Sequence, residues 1–155
     1  MYENRGDCIV HVKIPSISVE SEESKKIFFD TNTLLYLLSS DSKKADWVSS
    51  NLQQSNVISV QVLNEFTSAS LRKIKITNTE LDEFLDLFSS TFSIRPLDMD
   101  TFETGLSVSR RYGYQHYDSM IIAAALQAGC ERLYSEDMQH RQIIAKKLQI
   151  LNPFV

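Results

Sequence analysis

Short apolar runs alternate along this chain with longer segments whose apolar residues recur every three or four positions. The runs read as buried parallel strands, and the longer segments as helices with one buried face. Strands are predicted over residues 26–29, 56–59, 93–97, 132–135 and 148–151. Pro96 places the third at a sheet edge or a strand end, because proline cannot donate to a ladder. Helices are predicted over 33–39, from Asp41 or Ser42 through Leu52, and over 60–74, 80–88, 100–112, 117–128 and 143–147. Thr31 or Asn32 is the expected cap of the first. Thr79, with Asp82 three residues on, is expected to open 80–88 as a variant capping box. Gly113 and Gly129 are the expected stops of the two helices before them.

Strand and helix alternate without an internal repeat, which predicts an α/β sandwich with a parallel sheet. Residues 1–25 break the pattern. They mix β-prone pieces such as Cys8-Ile9-Val10-His11-Val12 with the acidic, serine-rich Glu20-Ser21-Glu22-Glu23-Ser24. They read as an N-terminal extension or arm, with an added edge strand as one form of it, joined to a domain spanning 26–155.

With 155 residues, 43% of them hydrophobic and 23% charged, the chain fits one ordinary globular domain. No apolar run is long enough for a bilayer, and residues 1–15 make a poor signal peptide. Two cysteines, Cys8 and Cys130, suggest no disulfide framework, so a reducing cytoplasm is the expected compartment. The net charge is -4, from 16 Lys and Arg against 20 Asp and Glu. That argues against a protein living by non-specific phosphate contacts. Basic pairs nevertheless occur at Arg72-Lys73, Arg110-Arg111, His140-Arg141 and Lys146-Lys147, each of which alone reads as a solvated helix face.

Four acids carry the chemistry. Asp30 ends the first strand, Glu65 lies in the helix after the second, Asp118 lies in the first turn of its helix, and Asp137 follows the fourth strand. Each alone has an ordinary explanation: a cap for Asp118, a solvated helix position for Glu65, a surface acid for Asp137 or its neighbour Glu136. Together they stand at one edge of the expected sheet, where open α/β folds bind ligands. Clustered carboxylates repel one another, and the usual compensation is a divalent cation held by oxygen ligands. Mg²⁺ or Mn²⁺ suits such a set, and the implied chemistry is metal-assisted hydrolysis of a phosphate ester. Thr31, Asn32, Ser119 and Ser135 are candidates to orient the carboxylates.

At these residues the chain resembles the PIN-domain ribonucleases, and within them the toxins of VapBC-type toxin–antitoxin pairs. The matching stretches are Phe28-Phe29-Asp30-Thr31-Asn32-Thr33-Leu34-Leu35, Val62-Leu63-Asn64-Glu65-Phe66, Tyr117-Asp118-Ser119-Met120-Ile121-Ile122-Ala123-Ala124-Ala125 and Leu133-Tyr134-Ser135-Glu136-Asp137-Met138-Gln139-His140, in that order. The resemblance implies a three-layer sandwich with a mainly parallel central sheet, dependence on Mg²⁺ or Mn²⁺, and endonucleolytic cleavage of RNA. It also implies a homodimer and a small antitoxin protein as partners. By position it makes Asp30, Glu65 and Asp118 the core catalytic metal ligands and Asp137 the fourth. Two departures stand out. The first 25 residues have no counterpart in a minimal PIN domain. Arg141 occupies a position where the family pattern has glycine, so it either alters the loop after Asp137 or adds a cation for RNA phosphate.

The main competing reading is a PIN-like module that binds RNA or protein without cutting. Other phosphotransfer folds fit poorly: position 32 is Asn where a haloacid dehalogenase needs a second Asp. The three histidines, His11, His116 and His140, have no zinc spacing. The apolar face of residues 60–92 is a candidate dimer or partner surface, although core packing accounts for it equally well.

Overall fold

The computed structural model describes residues 25–155, so nearly all of the expected N-terminal extension lies outside the described residues. Among the described residues six strands form one sheet in the order β3-β2-β1-β4-β6-β5. They are β1 (Ile27–Phe29), β2 (Val57–Ser59), β3 (Ser93–Arg95), β4 (Arg132–Tyr134), β5 (Ile143–Ile144) and β6 (Leu148–Leu151). All pairings are parallel except β5 with β6. Six helices accompany them: α1 (Thr31–Leu34), α2 (Ser42–Asn51), α3 (Val60–Ala69), α4 (Asn78–Thr91), α5 (Met99–Tyr112) and α6 (His116–Gln127). The mainly parallel sheet flanked by helices is the predicted architecture. Among the described residues no helix is long and apolar enough to cross a membrane.

The short strands are buried because β1 and β4 sit mid-sheet. Phe28, Phe29 and Leu133 have no exposed surface. Chain direction explains where a cleft can form. After β1 the chain crosses to β2 and β3 on one side, then returns through α5 and α6 to β4 on the other. Beyond the carboxyl ends of β1 and β4 the flanking connections diverge and leave a crevice. Helix α6 is buried over most of its length, from Ser119 to Ala125, as its run of Ile and Ala implies.

Five local expectations are corrected. Asp30, not Thr31 or Asn32, caps α1, its carboxylate accepting from Thr31 N–H at 2.7 Å. The predicted 33–39 helix begins at Thr31 and tightens into a 3-10 turn at Leu35–Leu38. The predicted 60–74 helix is α-helical only to Ala69 and finishes as a π turn, Ser70–Ile74, stopped by left-handed Lys75 (φ 59°).

Thr77, not Thr79, opens α4. It accepts from Glu80 N–H while Glu80 reaches back to Thr77 N–H. Glutamate closes this box because it is one methylene longer than the aspartate of the alternative register. Finally, residues 143–147 are not a helix. They make β5 and a turn whose Ala145 and Lys146 both have positive φ, 50° and 58°, closed by Lys147 N–H donating to the Ile144 carbonyl. Pairing of Ile144 with Leu148, both wholly buried, overrides the helical composition.

The aromatic face of residues 60–92 is core. Phe88 meets Phe66 and Phe92 edge to face, Phe84 lies tilted against Phe66 and Phe88, and Phe92 reaches Phe29 of β1.

Candidate active site

Asp30 leaves β1 still in extended conformation and donates its own N–H to the Tyr134 carbonyl, so its place is fixed by the sheet. Its side chain is only 4% exposed. One carboxylate oxygen accepts from Thr31 N–H. The other accepts from Ser135 Oγ at 2.7 Å and from Asn32 Nδ2 at 3.2 Å. Asn32 also donates to Ser135 Oγ and accepts from Glu136 N–H, which ties the start of α1 to the loop after β4. Ser135 is wholly buried.

Glu65 projects from the second turn of α3. Thr31 Oγ1 donates to one of its oxygens at 2.9 Å and Gln61 Nε2 to the other at 2.7 Å. Asp118 lies in the first turn of α6, where free backbone N–H groups favour a carboxylate. It is not the cap; Gln115 holds that position, without a side-chain bond. Asp137 is exposed in the turn after β4.

All four carboxylates line one cleft of about 670 Å³. Burial, joined by the charges of Glu65 and Asp118, pushes the Asp30 carboxyl up to about 7 against the pull of its Ser135 and Thr31 hydrogen bonds. Asp118 is also raised, first by burial, then by Glu65 and Asp137. The repulsion expected from the sequence is therefore present among these side chains. Their donor chemistry is all oxygen and suits a hard divalent cation. As the side chains stand among the described residues, no three of them converge closely enough to hold one ion, and Glu65 is turned to Thr31 and Gln61 instead.

Three of the four candidate orienting residues touch an acid: Thr31, Asn32 and Ser135. Ser119 does not. Its hydroxyl is directed to the Tyr114 carbonyl at 3.3 Å, because it is buried against the residues preceding α6. Arg141 is outside the cleft lining. Its φ of 67° is the left-handed conformation a glycine would adopt, and its N–H donates to the Ile150 carbonyl at 2.7 Å, so the turn survives the side chain. Glu136 faces away from the acids and pairs with Lys44 at 3.0 Å and Tyr36 Oη at 2.6 Å, which leaves Asp137 as the acid in the cleft.

Glu65 and the Arg72-Lys73 pair, read separately from the sequence, share one polar stripe whose other members, Gln61, Asn64 and Ser68, the sequence reading missed. Gln61, Asn64, Glu65, Ser68 and Arg72, with neighbouring Lys73, all line the cleft. Their spacing is the i, i+3, i+4 repeat of one helix face, opposite buried Val62 and Phe66. The same repeat that revealed the apolar face would have revealed this one, had the polar positions been counted too. Tyr117, the residue before Asp118, also lines it.

A mainly parallel sheet of this order with acids gathered past β1 and β4 is an α/β fold with its cleft beyond the carboxyl ends of the strands. The profile of the PIN domain family matches residues 27–146, and the chain belongs to that family. No curated protein matches the sequence. Solved structures similar in fold include a toxin–antitoxin complex from Klebsiella pneumoniae, at 21% identity and a TM-score of 0.63, covering 83% of this chain and 98% of that one. The VapC20 toxin of Mycobacterium tuberculosis, described as cleaving the sarcin–ricin loop, aligns at 20% identity and TM-score 0.57, covering 72% and 89%. FitAcB from Neisseria gonorrhoeae aligns at 17% and 0.59, covering 82% and 97%.

Proposed function

We propose that this protein is a Mg²⁺- or Mn²⁺-dependent endoribonuclease, the toxin of a toxin–antitoxin pair, working from the cleft at Asp30. The observation that carries the reading is the gathering of Asp30, Glu65, Asp118 and Asp137 around one cleft, with Asp30 and Asp118 both raised by burial and by neighbouring carboxylates. Membership of the PIN domain family and the toxins of similar fold support it. A small antitoxin covering the cleft and a second copy of the chain are the partners that go with this reading.

Asp30 and Asp118 would hold the cation most directly, with Glu65 and Asp137 completing the set. A bound divalent cation supplies Lewis-acid neutralisation of a phosphodiester oxygen and a more acidic water. The chain's own part is positioning. Ser135, Asn32 and the Thr31 N–H fix the Asp30 carboxylate in one orientation, so it loses little entropy on meeting a ligand. Thr31 and Gln61 hold Glu65 in reserve beside it. Arg72 and Lys73 place positive charge on the same cleft, where an approaching phosphate would otherwise meet only acids.

Incubation of a mixed RNA pool with Mg²⁺ or Mn²⁺, with EDTA, and with the Asp30→Asn variant tests the reading. Cutting is expected with metal only, and at least about 1,000-fold slower in the variant. Metal-independent cutting, or an equally active variant, would overturn it. No cutting together with no metal binding by calorimetry would favour a PIN-like module that binds RNA or protein without cleaving it.

A further inference from the structure

Tyr117 stands immediately before Asp118, lines the acidic cleft, and keeps 63% of its surface exposed. Burial does not explain a large ring left in solvent at that place. Its surroundings explain its orientation. The His116 ring meets it edge to face at 5.3 Å, and Phe102 of α5 meets His116 in turn at 5.8 Å. Phe102 is itself 39% exposed, so the three rings form an open aromatic surface running from α5 to the mouth of the cleft. The end of α3 brings different chemistry to the same cleft. Arg72 donates to Ser68 Oγ at 2.7 Å, which steadies its guanidinium, and exposed Lys73 lies beside it. A stacking ring, two cations and a row of carboxylates match three parts of one ligand: base, phosphate and the reacting diester.

We propose that the cleft grips a single RNA strand by stacking a base on Tyr117 while Arg72 and Lys73 take the neighbouring phosphates. This rests on the ribonuclease reading and adds a selection rule. Only a base free of a duplex stack can lie on the ring, so loops, bulges and ends are bound and paired RNA is not. The ring discriminates weakly among bases, because every base has a stacking face. Tyr117 is thus a binding and positioning residue that decides which phosphate lies over the acids.

The test is anisotropy of a fluorescein-labelled oligouridylate, and of a duplex RNA of equal length, titrated in Mg²⁺ at several salt concentrations. An Asp30→Asn background keeps the probe uncut. Tyr117→Ala should weaken single-strand binding about tenfold without changing its salt slope, and Tyr117→Phe should bind like the parent. Arg72→Ala with Lys73→Ala should flatten the salt slope by about one and a half. A photoreactive 5-iodouridine in the same strand should cross-link to Tyr117. The inference is overturned if Tyr117→Ala binds normally, if Tyr117→Phe falls as far as Tyr117→Ala, or if duplex binds as tightly as single strand. It is also overturned if Tyr117→Ala splits a dimer while RNA affinity stays put, which would make the aromatic surface a contact between copies. The two readings separate cleanly. Metal-dependent cutting with KM unmoved in Tyr117→Ala sinks this inference alone, whereas the expected binding pattern without any cutting sinks the nuclease reading alone.

Discussion

The loop after β4 presents two acids in succession, and the molecule treats them in opposite ways. Glu136 is met by Lys44 at 3.0 Å and by the Tyr36 hydroxyl, and these partners hold its carboxyl below the usual range despite partial burial. Lys44 also lies over the Tyr36 and Phe154 rings. On the other side, Asp137 faces a cleft with Asp30, Glu65 and Asp118, and both Asp30 and Asp118 are pushed up. One region is compensated from within the chain, and its job is to hold the loop. The other gathers four carboxylates on one cleft with Arg72 and Lys73, none of them paired as Glu136 is, and burial and mutual repulsion raise Asp30 and Asp118 there. Compensation, more than acidity, separates a structural carboxylate from a chemical one.

The largest expected effect follows from Asp30. A carboxyl raised from 3.8 to about 7 in the folded protein favours the folded state when protonated. That contribution is complete below about pH 4 and is lost as the pH rises through about 7. Its full size is on the order of 4 kcal/mol, less whatever local relaxation recovers. Metal-free protein should therefore lose stability to urea between pH 4 and 8, and Asp30→Asn should flatten the curve. Mn²⁺ should restore stability at pH 8 in the parent and not in the variant. An unchanged slope in Asp30→Asn would mean that the cleft acids are not the source of the strain, and the contrast with Glu136 would collapse.

Glu136→Gln should act with the opposite sign and more weakly. A carboxyl lowered in the folded state contributes stability above its unfolded value and loses it as the pH falls. The variant should lose about 3–5 °C of Tm at pH 7 and little at pH 3. Its metal response should be unchanged, because the bonds that fix the Asp30 carboxylate come from Thr31, Asn32 and Ser135 and do not involve the Glu136 side chain. A gain in Tm at pH 7 would place Glu136 with the cleft acids instead.

Much of this was legible in the sequence, for a physical reason. A short apolar run ended by an acid reads as a buried strand that delivers the acid to the sheet edge, and Asp30, Asp118 and the strands beside them are where the pattern put them. The paired fates of Glu136 and Asp137 were not legible. Which neighbour faces the cleft depends on Lys44, ninety-two residues earlier, reaching across the fold. The β5 turn failed for a related reason. Ile-Ile-Ala-Lys-Lys has helical composition, and only the buried partner Leu148 makes it a hairpin. Arg141 could not be read either, since a backbone that keeps a glycine-like φ under an arginine is invisible until the angle is seen.

That β5 turn supplies the smallest prediction and a control for the others. Ala145 and Lys146 hold left-handed angles that cost an L-residue roughly 1 kcal/mol each. Both are exposed, and neither lines the cleft. This strain therefore differs from that of Asp30: it lies in the backbone, it does not depend on pH, and no cation relieves it. Lys146→Gly should recover part of it and raise Tm by about 2 °C at every pH between 4 and 8, with the metal response intact. Glycine also adds freedom to the unfolded chain, which opposes the gain and keeps it small. If the gain appeared only at high pH, removal of a lysine charge rather than relief of φ would be the cause, and the turn could no longer serve as the uncharged counterpart of the acidic cleft.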